Sequence, residues 1–200
     1  NKNLEAEEEE LRRLIGLERP GLLFIHAYYG VDTWKPMRSL LKEWKKEGLC
    51  IMEDVTQSYY LEDIGAEADY IVGSLRKWYP IPDGGFVAAE ETIFQEGMTS
   101  EKEFTEKRIE LLTEKWNYLY GEGSAEEKKG IKNRFLKENR EMEEWLDRHE
   151  GAGEMSPEAL YMLDGIDEET CKEQRKRNYR YLYGKIHGKT WFWPILPEME

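Results

Sequence analysis

An aspartate and a lysine stand 23 residues apart in two similar settings. Asp54 closes an apolar run that begins at Leu49, within Ile51-Met-Glu-Asp54-Val-Thr-Gln57. Lys77 follows a second run, Tyr70-Ile-Val-Gly73, through Ser74-Leu-Arg. If both runs are parallel strands, their C-terminal ends bring a carboxylate, an amide and an amine to one crevice, where open α/β sheets bind ligands. A carboxylate there can keep a pyridine nitrogen protonated, and a lysine amine can form a Schiff base with an aldehyde. Pyridoxal phosphate (PLP) requires both of these from a protein. A lysine beside apolar walls loses pKa through desolvation and gains nucleophilicity, and Arg76 next to Lys77 pushes the same way. The alternative for Lys77 is an ordinary surface lysine, and for Asp54 a cap on the following segment.

Three further residues fit the same chemistry. Gln57 can donate a hydrogen bond to a ring hydroxyl, or serve as a polar loop residue. Ser74 offers a hydroxyl to a phosphate oxygen, although a serine after a strand is also a common turn former. His26, at the end of Leu22-Leu-Phe-Ile25 and beside Tyr28, Tyr29 and Gly30, can contact ring or substrate; a structural histidine is the competing reading. His149 and His187 lie in charged helical surroundings and form no metal-ligand pattern. No metal site is expected.

The elements that must position these residues follow from periodicity. Residues 3–15 read as a charged helix with Leu4, Leu11, Leu14 and Ile15 as a thin apolar stripe. Pro20-Gly21 ends it, and Leu22–Ile25 reads as a short strand buried on both faces. Residues 36–47 form an amphipathic helix through Met37, Leu40, Leu41 and Trp44. Strands are expected at Leu49–Glu53, Asp69–Gly73 and Phe86–Ala89, the last after the turn Pro80-Ile-Pro-Asp-Gly-Gly85. Strand, helix, strand at this spacing is a βαβ signature and predicts a mainly parallel sheet in the first ~90 residues. Residues 101–120 and 125–149 are long, charged and helical in period. Ser156-Pro157 opens another helix, a longer one covers about 168–186, and a strand is expected at Thr190–Trp193.

The chain has 200 residues, 40% hydrophobic and 36% charged, enough for a packed core under a highly charged surface. A formal net charge of -13 disfavours nucleic acid and anionic membrane surfaces as partners. Arg175-Lys-Arg177 is too short to reverse that. No apolar stretch approaches the ~20 residues of a spanning helix. Cys50 and Cys171 lie in unrelated contexts, so a reduced, cytoplasmic chain is expected. With no initiator Met and an abrupt end after Trp191-Phe-Trp193, the sequence reads as a piece of a longer protein.

Glu53-Asp54-Val-Thr-Gln57-Ser58, Gly73-Ser-Leu-Arg-Lys77 and Pro82-Asp-Gly-Gly85 together resemble the DegT-type family of fold-type-I PLP aminotransferases, which includes nucleotide-sugar aminotransferases. Glu53 to Gln57 matches the family's E-D-x-x-Q strand end, and Ser74 to Gly85 its S-x-x-K followed by a Gly-Gly turn. The resemblance covers 20–90 strongly and the rest loosely. It implies an α/β fold: part of a mainly parallel PLP fold-type-I large-domain sheet, then long helices, then the start of a small α+β domain. The implied divisions are 1–95 as the C-terminal portion of the PLP-binding large domain, 96–165 as a helical connection, and 166–200 as the beginning of the small domain. It implies Lys77 as the Schiff-base lysine and proton-moving base, Asp54 at the pyridinium nitrogen, Gln57 at the 3-hydroxyl side and Ser74 at the phosphate, with His26 in the cofactor pocket. The implied reaction moves an amino group from an amino-acid donor to a keto acceptor such as a keto sugar nucleotide, in a homodimer when full length. The family's Gly-Thr or Gly-Ser phosphate cradle and ring-stacking aromatic have no counterpart in these residues. A PLP-dependent dehydratase or lyase is one alternative, and a non-catalytic remnant or interaction module with the same fold is another.

Overall fold

Met37, Leu40, Leu41 and Trp44 recur at helical spacing, and all four are buried. In the computed structural model, which describes residues 4–90, 101–149 and 153–189, they belong to helix α2 (Arg38–Lys46) and to the turn of 3-10 helix, Lys35–Met37, that leads into it. Their apolar face meets Ile25 and Ile51 on two parallel strands, β1 (Leu22–His26) and β2 (Cys50–Asp54). β1, α2 and β2 therefore form the expected βαβ unit. Helix α1 (Glu8–Glu18) adds Leu11 and Ile15 to the same core. It stops where Arg19 turns left-handed, with φ 47°, just before Pro20.

β3 (Tyr70–Ser74) pairs parallel to β2, and β4 (Gly85–Ala88) completes a four-stranded sheet in the order β1-β2-β3-β4. The chain is mixed α/β with a mostly parallel sheet. Leu22 pairs with Cys50 and His26 with Asp54, so the two strands end level. One expectation is corrected here. β1 is not buried on both faces: Ile25 is 1% exposed, while Leu22 and Phe24 on the opposite face are 47% and 55% exposed. Side chains alternate along a strand, and α1 and α2 cover only the face that carries Ile25.

The described residues fall into two compact units. One gathers the chain up to Gly73, the part of β4 from Phe86, and the residues from Ile166. The other takes Ser74–Gly85 and the helices up to Gly165. In the second unit, α3 (Lys102–Tyr120) and α4 (Ala125–Arg148) pack as an antiparallel pair. Phe104 meets Trp145 with ring centroids 5.1 Å apart, and Arg134 reaches back to Glu114. The pairing buries Phe104 and Leu111, and a Ser124–Glu127 capping box starts α4. Asp83, in the proline-glycine turn, accepts from the Thr105 hydroxyl at 2.8 Å and from the Ser156 N–H at 2.9 Å. That ties the turn to α3 and to the start of α5 (Pro157–Asp164), where proline takes a first-turn position as expected.

Helix α6 (Glu168–Ile186) is capped by Asp167. His149 stacks on Trp145 with centroids 3.7 Å apart, and His187 on Tyr183 at 4.8 Å. The strand expected at Thr190–Trp193 lies outside the described residues.

Candidate functional site

β1 and β2 end level because their register pairs His26 with Asp54, and Asp54 in turn pairs with Val72 of β3. Residues at paired positions share a face of the sheet. His26 Nδ1 accordingly lies 3.3 Å from Asp54 Oδ2, with both side chains about one-fifth exposed, at 19% and 24%. The approach is close enough for an ion pair but not aligned as a hydrogen bond, so among the described residues the buried Nδ1 has no hydrogen-bond partner. The other carboxylate oxygen, Oδ1, accepts the Thr56 N–H at 2.8 Å. This local Asx turn holds Asp54 in a single orientation.

Beyond His26 the chain reverses in a tight turn. The Val31 N–H donates to the Tyr28 carbonyl at 3.0 Å, and φ is positive at both central residues, 56° at Tyr29 and 77° at Gly30. These are the marks of a type I′ turn. Gly30 suits it, whereas Tyr29 bears the strain of a side chain in the left-handed region. The turn directs the Tyr29 N–H at Gln57 Oε1, 3.1 Å away. With its carbonyl end held, the Gln57 amide has its NH2 end left to donate. Tyr28 packs edge-on to His26 at 4.9 Å, while Tyr29 is 73% exposed. The Trp34 indole N–H donates to the His26 carbonyl at 3.0 Å and fixes the loop from its other side.

Ser74 and Lys77 belong to the second unit. Ser74 ends β3, and Lys77 ends the 3-10 turn Leu75–Lys77 that follows it. Leu75 anchors the turn: it is 8% exposed, and its N–H donates to the Gly84 carbonyl at 3.2 Å. Lys77 itself is exposed, so the expected desolvation by apolar walls is not found. Arg76 was expected to act on Lys77, but it extends to Glu143 on α4, 3.6 Å away. The structure thus brings His26, Asp54 and Gln57 together in the first unit, and places Ser74 and Lys77 on the segment leaving β3.

Glu53 was given no role from sequence. It is fully buried beside Asp54 and holds Arg38 through two hydrogen bonds of 2.8 and 3.0 Å. Arg38 also meets Asp32 at 3.1 Å and Glu67 at 3.3 Å, and the Gly65 N–H donates to Glu53 at 3.0 Å. Burial alone would pull the Arg38 pKa down. Hydrogen bonds and charge from Glu53, then Asp32, more than reverse this and raise it. The network joins the loop after β1, helix α2, the end of β2 and the segment before β3, so it fixes the strand end that carries Asp54. A signal existed in the sequence. Glu53 sits at an inward position between Ile51 and Val55, where a charge needs a partner.

No family model and no curated protein matches the chain. Among the described residues, no group of three or more His, Cys, Asp or Glu is placed to hold a metal. No described helix is long and apolar enough to cross a membrane.

Proposed function

We propose that this chain carries part of the site of a PLP-dependent aminotransferase, which moves an amino group from an amino-acid donor to a keto acceptor such as a keto sugar nucleotide. One observation carries the reading. At the C-terminal end of a parallel pair, Asp54 and Gln57 are each oriented by a backbone N–H, from Thr56 and Tyr29. The groups the cofactor needs are then a carboxylate oxygen, Asp54 Oδ2 beside His26, and the Gln57 NH2. The residues present therefore fit the ring-binding half of a PLP site.

Bound PLP supplies an electron sink for negative charge developing at the substrate Cα. Asp54 would keep the ring nitrogen protonated, because a carboxylate beside a basic nitrogen favours its charged form. Gln57 would donate to the 3-hydroxyl side, and Ser74 to the phosphate. The Lys77 amine would hold the cofactor through its aldehyde and would serve as the base for the proton at the substrate Cα. His26, 3.3 Å from Asp54 Oδ2, would contact the ring or the substrate. The homodimer implied by the family resemblance belongs to the same proposal.

The exposure of Lys77 favours a second reading, a non-catalytic module that keeps the fold. One experiment separates the two. Under the aminotransferase reading, PLP added to the chain gives a new visible absorbance band that glutamate discharges, and Lys77→Ala abolishes the band. A band of equal intensity in Lys77→Ala would remove the enzymatic reading, and no band in the wild-type chain would favour the module.

A further inference from the structure

Two arginines in the second unit share one loosely held counterion. Arg108 on α3 is 12% exposed in its side chain, and its Nη1 donates to Asn139 Oδ1 at 2.9 Å and to Glu143 Oε1 at 3.4 Å. Arg76, from the 3-10 turn after β3, reaches the same Glu143 oxygen at 3.6 Å and is 20% exposed. Glu143 is 49% exposed, so among the described residues two largely buried guanidinium groups face a single carboxylate that sits half in solvent. The Arg108 Nε is buried and has no hydrogen-bond partner among the described residues. Burial, then the charge of Arg76, lower the Arg108 pKa, and Glu143 offsets this only in part.

Arg38 shows what a closed arrangement looks like in the same chain. There three carboxylates, two of them buried, converge on one guanidinium. Buried cations are stabilised by pairing, and an unmade hydrogen bond on a buried donor costs free energy. The Arg76–Arg108 cluster has an excess positive charge and an unpaired donor, the combination that a carboxylate or a phosphate group satisfies by accepting from a guanidinium. Asn139 accepts from Arg108 through its carbonyl oxygen, which leaves its NH2 to donate to the same anion. Glu143 gives up little on leaving, because an exposed ion pair at this spacing is weak and screened.

We infer that Arg76, Arg108 and Asn139 form a binding site for a compact oxyanion, a carboxylate or a phosphate group, which displaces Glu143. This holds whether or not the chain binds PLP.

The test is a titration of the 200-residue chain at constant ionic strength, kept with chloride and followed by the Nε–H resonance of Arg108. One arm uses inorganic phosphate and the other acetate. A saturable shift in either arm supports the site, and the arm that saturates at lower concentration names its chemistry. Arg76→Gln weakens the binding roughly ten-fold. Glu143→Gln strengthens it roughly two- to five-fold, because the competing carboxylate is gone. A purely structural cluster would lose stability in Glu143→Gln and gain no affinity. Linear, unsaturable shifts in both arms would overturn the inference, as would unchanged affinity in both variants.

Discussion

Replacing Arg38 by Met removes the one guanidinium that holds Asp32, Glu53 and Glu67. Glu53 is 0% exposed and Glu67 is 5% exposed, so among the described residues the first keeps the Gly65 N–H and the second Lys42, whose side chain lies mostly in solvent. Stranding a buried charge in this way costs about 3–5 kcal/mol. The loss is large against the roughly 5–15 kcal/mol that holds a whole domain folded. Native-state hydrogen exchange of the Ile51 amide is the assay. That N–H is held by Asp69 at 2.8 Å in the middle of the first unit, so it exchanges only when the unit opens. At about 1.4 kcal/mol per decade, its exchange accelerates by roughly two to more than three orders of magnitude. Arg38→Met/Glu53→Met regains part of the protection, because it removes the stranded charge along with its partner. Arg12→Met is the control: Arg12 pairs with the exposed Glu8 and Glu43, and its loss leaves the rate unchanged. If Arg38→Met behaved like Arg12→Met, the network would not be a buried support for the end of β2.

Gly73→Ala places a Cβ 2.7 Å from the Phe86 ring and 3.2 Å from Val55 Cγ2, an overpacking that destabilises the first unit by about 1–3 kcal/mol. Phe86→Leu in the same background recovers much of this, and a neutral Gly73→Ala in chemical denaturation would contradict the close packing at β3. Hydrogen bonds from the Ser124 N–H, then the Ser124 hydroxyl, lower the Glu127 pKa below the ordinary glutamate value near 4.3. Because the folded value is the lower one, the capping contribution is complete above the unfolded value and is lost as the pH falls through the folded one. A carboxyl-carbon NMR titration checks the midpoint. Glu127→Gln, which keeps a capping side chain at the same position, removes the pH dependence at the start of α4.

Much of this fold is legible in the sequence, because its helices and strands obey simple periods. The stripe Met37, Leu40, Leu41, Trp44 marks α2, and the run before Asp54 marks β2 to within a residue. The pairing of His26 with Asp54 needed more, because it depends on strand register and not on either residue's neighbours. Leu22 and Phe24 read as buried because an apolar run carries no information on whether a second layer covers it. Lys77 read as desolvated because it follows a strand, yet the 3-10 turn after Ser74 carries it out to solvent. The Gln57–Tyr29 contact depends on a left-handed tyrosine, which β-propensity and turn rules both disfavour. Arg38 was missed because its three partners lie 6 to 29 residues away along the chain.

The proposed role of Lys77 as the amine that holds PLP is directly measurable. Borohydride added to the chain with PLP fixes the cofactor to whichever amine carries it, and peptide mapping by mass spectrometry then reads the position. The expected result is one dominant phosphopyridoxyl adduct on Lys77, with its yield reduced in Asp54→Ala. Label spread over the exposed lysines, with Lys77 no more modified than Lys102 or Lys137, would contradict it.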